Sequence, residues 1–225
     1  MRRVLVLRPE PGASATVERA RSRGLDAVAI PLFEIESVAW GVPEAGRFDA
    51  LLLTSANAVH HGGEGLQRLR GLPVNAVGEA TANAAREAGF DIASTGDSGV
   101  DRLLDSLEPN LDLLHLCGED RKAPESARHR ITPIVVYRAR ERSVRDMDAA
   151  AAAVAFIHSP RAGRRFAQLV DEAGLDRGSI AIAAISAAAA EAAGTGWATV
   201  KAAERPTDDA LLALAERLCN NDPAR

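Results

Sequence analysis

The chain has 225 residues, 47% hydrophobic and 26% charged, with 27 basic against 31 acidic side chains and a formal net charge of −4. That is enough apolar material for one large domain or two small ones, and the longest apolar stretch, 149–157, falls far short of the roughly 18 residues of a membrane span. An acidic chain with 4% aromatic residues suits nucleic acid poorly; Cys117 and Cys219, far apart and without a CxxC or a histidine cluster, imply neither disulfides nor zinc and point to a reducing, cytoplasmic setting.

The start, Met1-Arg2-Arg3-Val4-Leu5-Val6-Leu7-Arg8-Pro9, has too short an apolar run for a secretory leader, which needs roughly 7 to 15 residues, and reads as a first strand. From there short apolar runs alternate with helix-like stretches. Strands are predicted at 3–7, 27–31, 50–54, 74–77, 90–94, 112–116, 133–137, 153–158, 179–185 and 198–202. The helices between them carry end signals: Ser14 as an N-cap and Gly24 past the end, Gly89 after a helix over 80–88, Ser159-Pro160 as N-cap and first turn, and Thr207 before Asp208-Asp209. Such alternation predicts an α/β fold of parallel strands.

The pattern also repeats. Phe48-Asp49-Ala50-Leu51-Leu52-Leu53-Thr54-Ser55 has the shape of Ala152-Ala153-Val154-Ala155-Phe156-Ile157-His158-Ser159. Asn75-Ala76-Val77-Gly78-Glu79-Ala80-Thr81 has that of Ala183-Ala184-Ile185-Ser186-Ala187-Ala188-Ala189, and Val4-Leu5-Val6-Leu7-Arg8-Pro9 weakly resembles Leu113-Leu114-His115-Leu116-Cys117-Gly118. Two similar domains of about one hundred residues follow, an ordinary size. They could be arranged in tandem or nested. Two extended segments around the middle block, 34–38 and 134–140, favour nesting, with residues 1–35 and 141–225 in one domain, 36–140 in the other, and the two segments side by side as a two-stranded linker.

Charge is uneven. Residues 121–165 hold 11 basic and 4 acidic side chains, leaving 16 against 27 elsewhere, and all but Lys122 and Lys201 of the basic residues are arginine. A guanidinium fork suits an anionic partner, but a charge run is more often a solvated face. The chain has no GxGxxG, GxxxxGK[ST], HExxH or GxSxG, which removes the common dinucleotide, phosphate-loop, zincin and nucleophile-elbow readings. Left over are Ser55, Asn57, Thr81, Ser159 and Ser186, where strands give way to helices. Each alone is explained by capping; recurring in both copies, the set suggests a ligand cleft outside the carboxyl ends of the strands. Tyr137, the only tyrosine, is protonated at neutral pH and able to donate a proton, though a half-buried strand aromatic is the plainer reading. His60, His61, His115 and His158 read as loop or packing residues, and no metal is implied.

Asp49-Ala50-Leu51-Leu52-Leu53-Thr54-Ser55-Ala56-Asn57-Ala58-Val59, Ala76-Val77-Gly78-Glu79-Ala80-Thr81-Ala82, Val135-Val136-Tyr137-Arg138, His158-Ser159-Pro160, Ala184-Ile185-Ser186 and Pro206-Thr207-Asp208-Asp209-Ala210-Leu211 occur in the order seen in uroporphyrinogen-III synthases. The chain resembles that family over essentially its whole length. The resemblance implies two doubly wound, flavodoxin-like parallel-sheet domains joined by a two-stranded linker, with a cleft between them. It implies a cofactor-independent cyclisation of the linear tetrapyrrole hydroxymethylbilane to uroporphyrinogen III, with inversion of the last ring and loss of water. Tyr137 matches the family tyrosine proposed to assist departure of the hydroxyl. Arg8, Ser55, Asn57, Gly78, Thr81, Gly118, Ser159 and Ser186 are the implied substrate contacts, Ser186 standing where many relatives have threonine after a glycine. A monomer is expected, with hydroxymethylbilane synthase as a partner handing over an unstable substrate. A non-catalytic two-domain binding protein for an anionic small molecule is the competing reading.

Overall fold

The computed structural model describes residues 2–97, 99–120, 124, 128–144 and 147–220. It contains two sheets. The first is built from β1 (Val4–Val6), β2 (Ala27–Ala29), β9 (Val154–Ile157), β10 (Ala181–Ala184) and β11 (Thr199–Ala202), in the spatial order β11-β10-β9-β1-β2. Every pairing in it is parallel. The second holds β3 (Phe33–Ser37), β4 (Ala50–Leu53), β5 (Val74–Val77), β6 (Ile92–Gly96), β7 (Asp112–Gly118) and β8 (Arg130–Glu141), in the order β3-β8-β7-β4-β5-β6. The pairs among β4 to β8 are again parallel.

Strand composition explains the burial. Val4-Leu5-Val6, Leu51-Leu52-Leu53, Val154-Ala155-Phe156-Ile157 and Ala181-Ile182-Ala183-Ala184 are apolar at every position and buried at every position, because helices cover both faces of a parallel sheet. The helices are α1 (Gly12–Ser22), α2 (Asn57–His61), α3 (Glu79–Glu87), α4 (Val100–Ser106), α5 (Pro160–Glu172), α6 (Ala187–Ala192) and α7 (Asp208–Asn220). Their packing is close where small residues meet. A Cβ placed on Gly163 of α5 would lie 2.9 Å from the backbone nitrogen of Ala193 and 3.0 Å from the carbonyl oxygen of Ala189, so a hydrogen at this position is what lets α5 lie on α6.

The chain divides into two compact units, Met1–Glu34 with Glu141–Arg225, and Ile35–Arg140. Numbered within its own unit, the first sheet has the strand order 2-1-3-4-5, the flavodoxin-like winding. The second reads β8-β7-β4-β5-β6, which is that same order started at a different strand. Thus β7 corresponds to β1, β4 to β9 and β5 to β10, the three correspondences that the sequence repeat picks out. The extra strand β3 lies at the outer edge beside β8, with the Val38 N–H donating to the Val136 carbonyl at 2.9 Å.

Local differences from the sequence reading have plain causes. Helix α1 begins at Gly12, with Pro11 at the cap position. Ser14 lies inside it, its N–H and hydroxyl both donating to the Glu10 carboxylate at 3.0 Å, so a glutamate and not the serine caps this end. Strand β6 starts at Ile92 instead of residue 90, because the Phe90 N–H turns back to the Ala85 carbonyl at 3.0 Å and Gly89 takes φ +85°, keeping 88–90 in the helix stop. Ser159, Ser186 and Thr207 do cap: their side-chain oxygens accept from the N–H groups of Ala162, Ala189 and Ala210. Of the basic middle stretch, Arg121, Lys122 and Arg145 lie outside the described residues. The exposed Arg130, Arg138 and Arg140 pair with Asp112 and Glu36, and the largely buried Arg165 pairs with Glu141.

Candidate active site

In a doubly wound sheet a crevice opens outside the carboxyl ends of the two neighbouring strands whose connections leave in opposite directions. Each sheet has one such place, beyond β1 and β9 in the first and beyond β7 and β4 in the second.

In the second sheet that place is a cavity of about 260 Å³, lined by Thr54, Ser55, Val100, Gly118, Glu119, Asp120, Tyr137 and Ala139. Pockets that bury a whole drug-sized ligand run to roughly 300–1,000 Å³, so this one has room for one end of a larger molecule. Thr54 and Ser55 follow β4, Gly118 closes β7, and Tyr137 comes from β8. Burial pushes the Tyr137 phenol above its ordinary value, opposed by hydrogen bonds from Ser55 and the Gly118 backbone, with the Cys117 thiol adding to the rise. The side chain is therefore a neutral O–H at physiological pH. His61 leans on it, ring centroids 6.3 Å apart and tilted by 41°, and burial together with the neighbouring His60 lowers the His61 pKa, favouring a neutral imidazole. Below the cavity Thr54 Oγ1 lies 3.1 Å from Nε2 of the buried His115.

In the first sheet the corresponding place holds charge. The Asp208 carboxylate, at the start of α7, accepts from Arg8 Nη1 at 3.2 and 3.0 Å and from the fully buried Thr16 hydroxyl at 2.8 Å, and it also meets Arg19. His158 Nε2 lies 3.4 Å from it, outside good hydrogen-bond geometry, so that contact is electrostatic. Burial alone would raise the Asp208 pKa; His158, Thr16 and Arg8 outweigh it and hold the carboxyl well below the usual carboxylate range.

The sequence-predicted residues thus separate. Tyr137, Ser55 and Gly118 meet at the cavity. Asn57, whose N–H points to Ser55 Oγ at 3.2 Å, Gly78 with φ +84° ahead of α3, and Thr81, buried inside α3, belong to the same unit but are not among the residues lining it. Arg8, Ser159 and Ser186 stand at the strand ends of the first sheet.

A family model described as uroporphyrinogen-III synthase HemD matches residues 14–213. The chain belongs to the uroporphyrinogen-III synthase family. It is accordingly a cyclising lyase of haem biosynthesis. Among solved structures, the uroporphyrinogen-III synthetase of Helicobacter pylori 26695 superposes with a TM-score of 0.63 at 18% identity, covering 97% of this chain and 100% of that one. A mutant uroporphyrinogen III synthase from the extremely thermophilic bacterium Thermus thermophilus gives 0.50 at 18% identity, over 98% and 100%. At such identity the likeness concerns the fold. No curated protein matches the sequence.

Among the described residues of this synthase-family chain no three His, Cys, Asp or Glu side chains gather to hold a metal ion, and no helix is long and apolar enough to cross a membrane. Sequence reasoning missed Thr54, Val100, Glu119, Asp120 and Ala139 in the lining, and the whole Asp208 cluster. Strand-end position was the available signal for Thr54 and Glu119. Nothing in the sequence joins Thr16 or Arg8 to a residue roughly 190 to 200 positions away.

Proposed function

We infer that this chain performs the reaction of its family, closing hydroxymethylbilane to uroporphyrinogen III, and we propose Tyr137 as its proton donor. The observation that carries the activity is the family match over residues 14–213; the protonated phenol at the strand ends supports the residue assignment. In the proposed step the C–O bond of the terminal hydroxymethyl group breaks as the Tyr137 O–H delivers a proton and the oxygen leaves as water. The pyrrole lone pair supplies the electrons and an azafulvenium cation forms. Ring carbon attack through a spiro intermediate then delivers the inverted ring, and the proton shed on rearomatisation balances the one donated. Glu119 and Asp120 on the same lining place negative charge where the cation develops.

On this reading the spot takes only the reacting end of the substrate, which is in keeping with the cavity's size. Its eight carboxylates need other donors, and Arg8, Asn57, Gly78, Thr81, Ser159 and Ser186 are proposed for them. We place residues 1–35 with 141–225 in one domain and 36–140 in the other, joined by the segments near 34–39 and 134–140. A monomer that receives its unstable substrate from hydroxymethylbilane synthase in the cytoplasm belongs to the same proposal. Holding the flexible chain in one folded shape is as much part of the task as proton transfer, because the free substrate closes spontaneously to the uninverted isomer. The test is to supply hydroxymethylbilane, oxidise the products and resolve the isomers by chromatography. Enrichment in isomer III over an enzyme-free control supports the reading, and an unchanged ratio removes it.

A further inference from the structure

We propose that Gly118, with the shift in strand register beside it, is the positioning residue that fixes the Tyr137 side chain at the carboxyl end of β4. Strands β7 and β8 run in step from Asp112 opposite Arg130 to Cys117 opposite Val135; the next pair is Gly118 opposite Tyr137. Val136 is therefore one residue extra, a bulge, and bulges bend a strand and re-aim the side chains that follow. The bulge is secured at both ends. Val136 is fully buried in the apolar cluster that includes Leu114 and Leu116, and beyond the shift the Glu119 N–H donates to the Tyr137 carbonyl at 3.0 Å.

The glycine answers to the ring. A Cβ built on Gly118 would fall 2.6 Å from Tyr137 Cε2, 2.8 Å from Cζ and 3.1 Å from the phenolic oxygen, closer than the two groups could stand. The aromatic ring thus lies on the strand where any other residue would place its side chain. Backbone conformation does not demand glycine here, since Gly118 is not among the residues with positive φ. With His61 against the ring and Ser55 bonded to its hydroxyl, the phenol is confined from several sides and its oxygen faces the end of β4. Gly118, named above among the substrate contacts on resemblance, acts here through Tyr137.

This placement deepens the reading of Tyr137 as proton donor and depends on it only for the consequence in turnover. Because Tyr137 is the only tyrosine, absorbance titration of tyrosinate reads one group in the intact chain. The parent is expected to titrate above the ordinary phenol value of about 10. In Gly118→Ala the ring is pushed off the strand toward water and the midpoint moves back toward that value. Ser55→Ala, which removes a bond favouring the phenolate without crowding the ring, moves it the other way. Turnover of Gly118→Ala should fall by about 100-fold with KM nearly unchanged, as for a displaced acid. Should Gly118→Ala fold poorly, the same substitution is made in a Tyr137→Leu background, where the obstructing ring is gone and the loss of stability should disappear. An unchanged titration in Gly118→Ala, or an equal loss of stability in both backgrounds, overturns the proposal. A moved titration with full isomer III turnover upholds the placement and removes Tyr137 from the chemistry.

Discussion

Asp208 offers the most quantitative test of how the first unit is held together. Its side chain is 11% exposed, whereas its partners Arg8 and Arg19 are 35% and 46% exposed. Ion pairs to side chains that open to water contribute at most about 1 kcal/mol each. Thr16 is different, being fully buried, and leaving its hydroxyl without an acceptor costs about 1–3 kcal/mol. Asp208→Ala should therefore lower unfolding free energy by about 2–4 kcal/mol, while Asp208→Asn, which keeps an oxygen for Thr16 and loses only the charge, should cost about 1 kcal/mol. Urea unfolding at neutral pH measures both, with the slope unchanged and the midpoint lowered.

Salt and pH separate the two contributions. At about 1 M salt the screening length is roughly 3 Å, so the arginine contribution shrinks and Asp208→Asn should approach the parent, while the gap between the alanine and asparagine variants persists. The folded-state pKa of Asp208 is depressed, burial being outweighed by His158, Thr16 and Arg8. A depressed carboxylate stabilises the fold above its unfolded value of about 3.9 and loses that contribution as pH falls through the folded value. The difference between parent and Asp208→Asn should thus narrow as the pH falls below about 4. An Asp208→Ala midpoint equal to the parent's at neutral pH would refute the assignment of Asp208 as the acceptor that satisfies Thr16.

Tyr137→Phe should lower isomer III formation by about 10²- to 10⁴-fold, the usual worth of a positioned general acid, with the far-ultraviolet circular dichroism unchanged; parental turnover would make Tyr137 a structural residue. Gly163→Ala forces a methyl against the backbone of α6 and should cost about 1–3 kcal/mol in thermal or urea unfolding, without altering the isomer ratio. Leu52→Ala, which empties a fully buried position in β4, should cost about 2–5 kcal/mol in the same assay.

What the sequence discloses is what short-range chemistry controls. Apolar runs such as Leu51-Leu52-Leu53 and Ala181-Ile182-Ala183-Ala184 are strands because nothing polar interrupts them, and Ser159-Pro160 starts a helix because the cap needs only Ala162, three residues on. The ends drift where a local bond competes: Phe90 turns back to Ala85, and Glu10 captures the N–H that Ser14 would have offered to solvent. Tyr137 could be singled out because it is the only tyrosine and directly follows the apolar run Ile134-Val135-Val136. The cavity around it could not, because Ser55 follows β4 while Gly118 and Tyr137 lie on β7 and β8, and the three meet only through the register of a parallel sheet. The one-residue shift at Gly118 has no signature in composition at all.

The two units show how one design yields two different strand-end sites. Their strand orders are the same winding begun at different strands, so each has an equivalent crevice, beyond β1 and β9 or beyond β7 and β4. In the first, Arg8 follows β1 and bonds the Asp208 carboxylate, which ties α7 to α1 through Thr16. In the second, Cys117 and Gly118 occupy the corresponding end of β7, neither carries charge, and the space is left to a phenol. Strand length makes the difference possible: β2 ends after three residues, while β8 runs for twelve and carries Tyr137 past the bulge to the cavity. If the proposed proton transfer to the leaving hydroxyl oxygen holds, the crevice that holds the protonated Tyr137 phenol beside the Glu119 and Asp120 carboxylates is the one equipped for it.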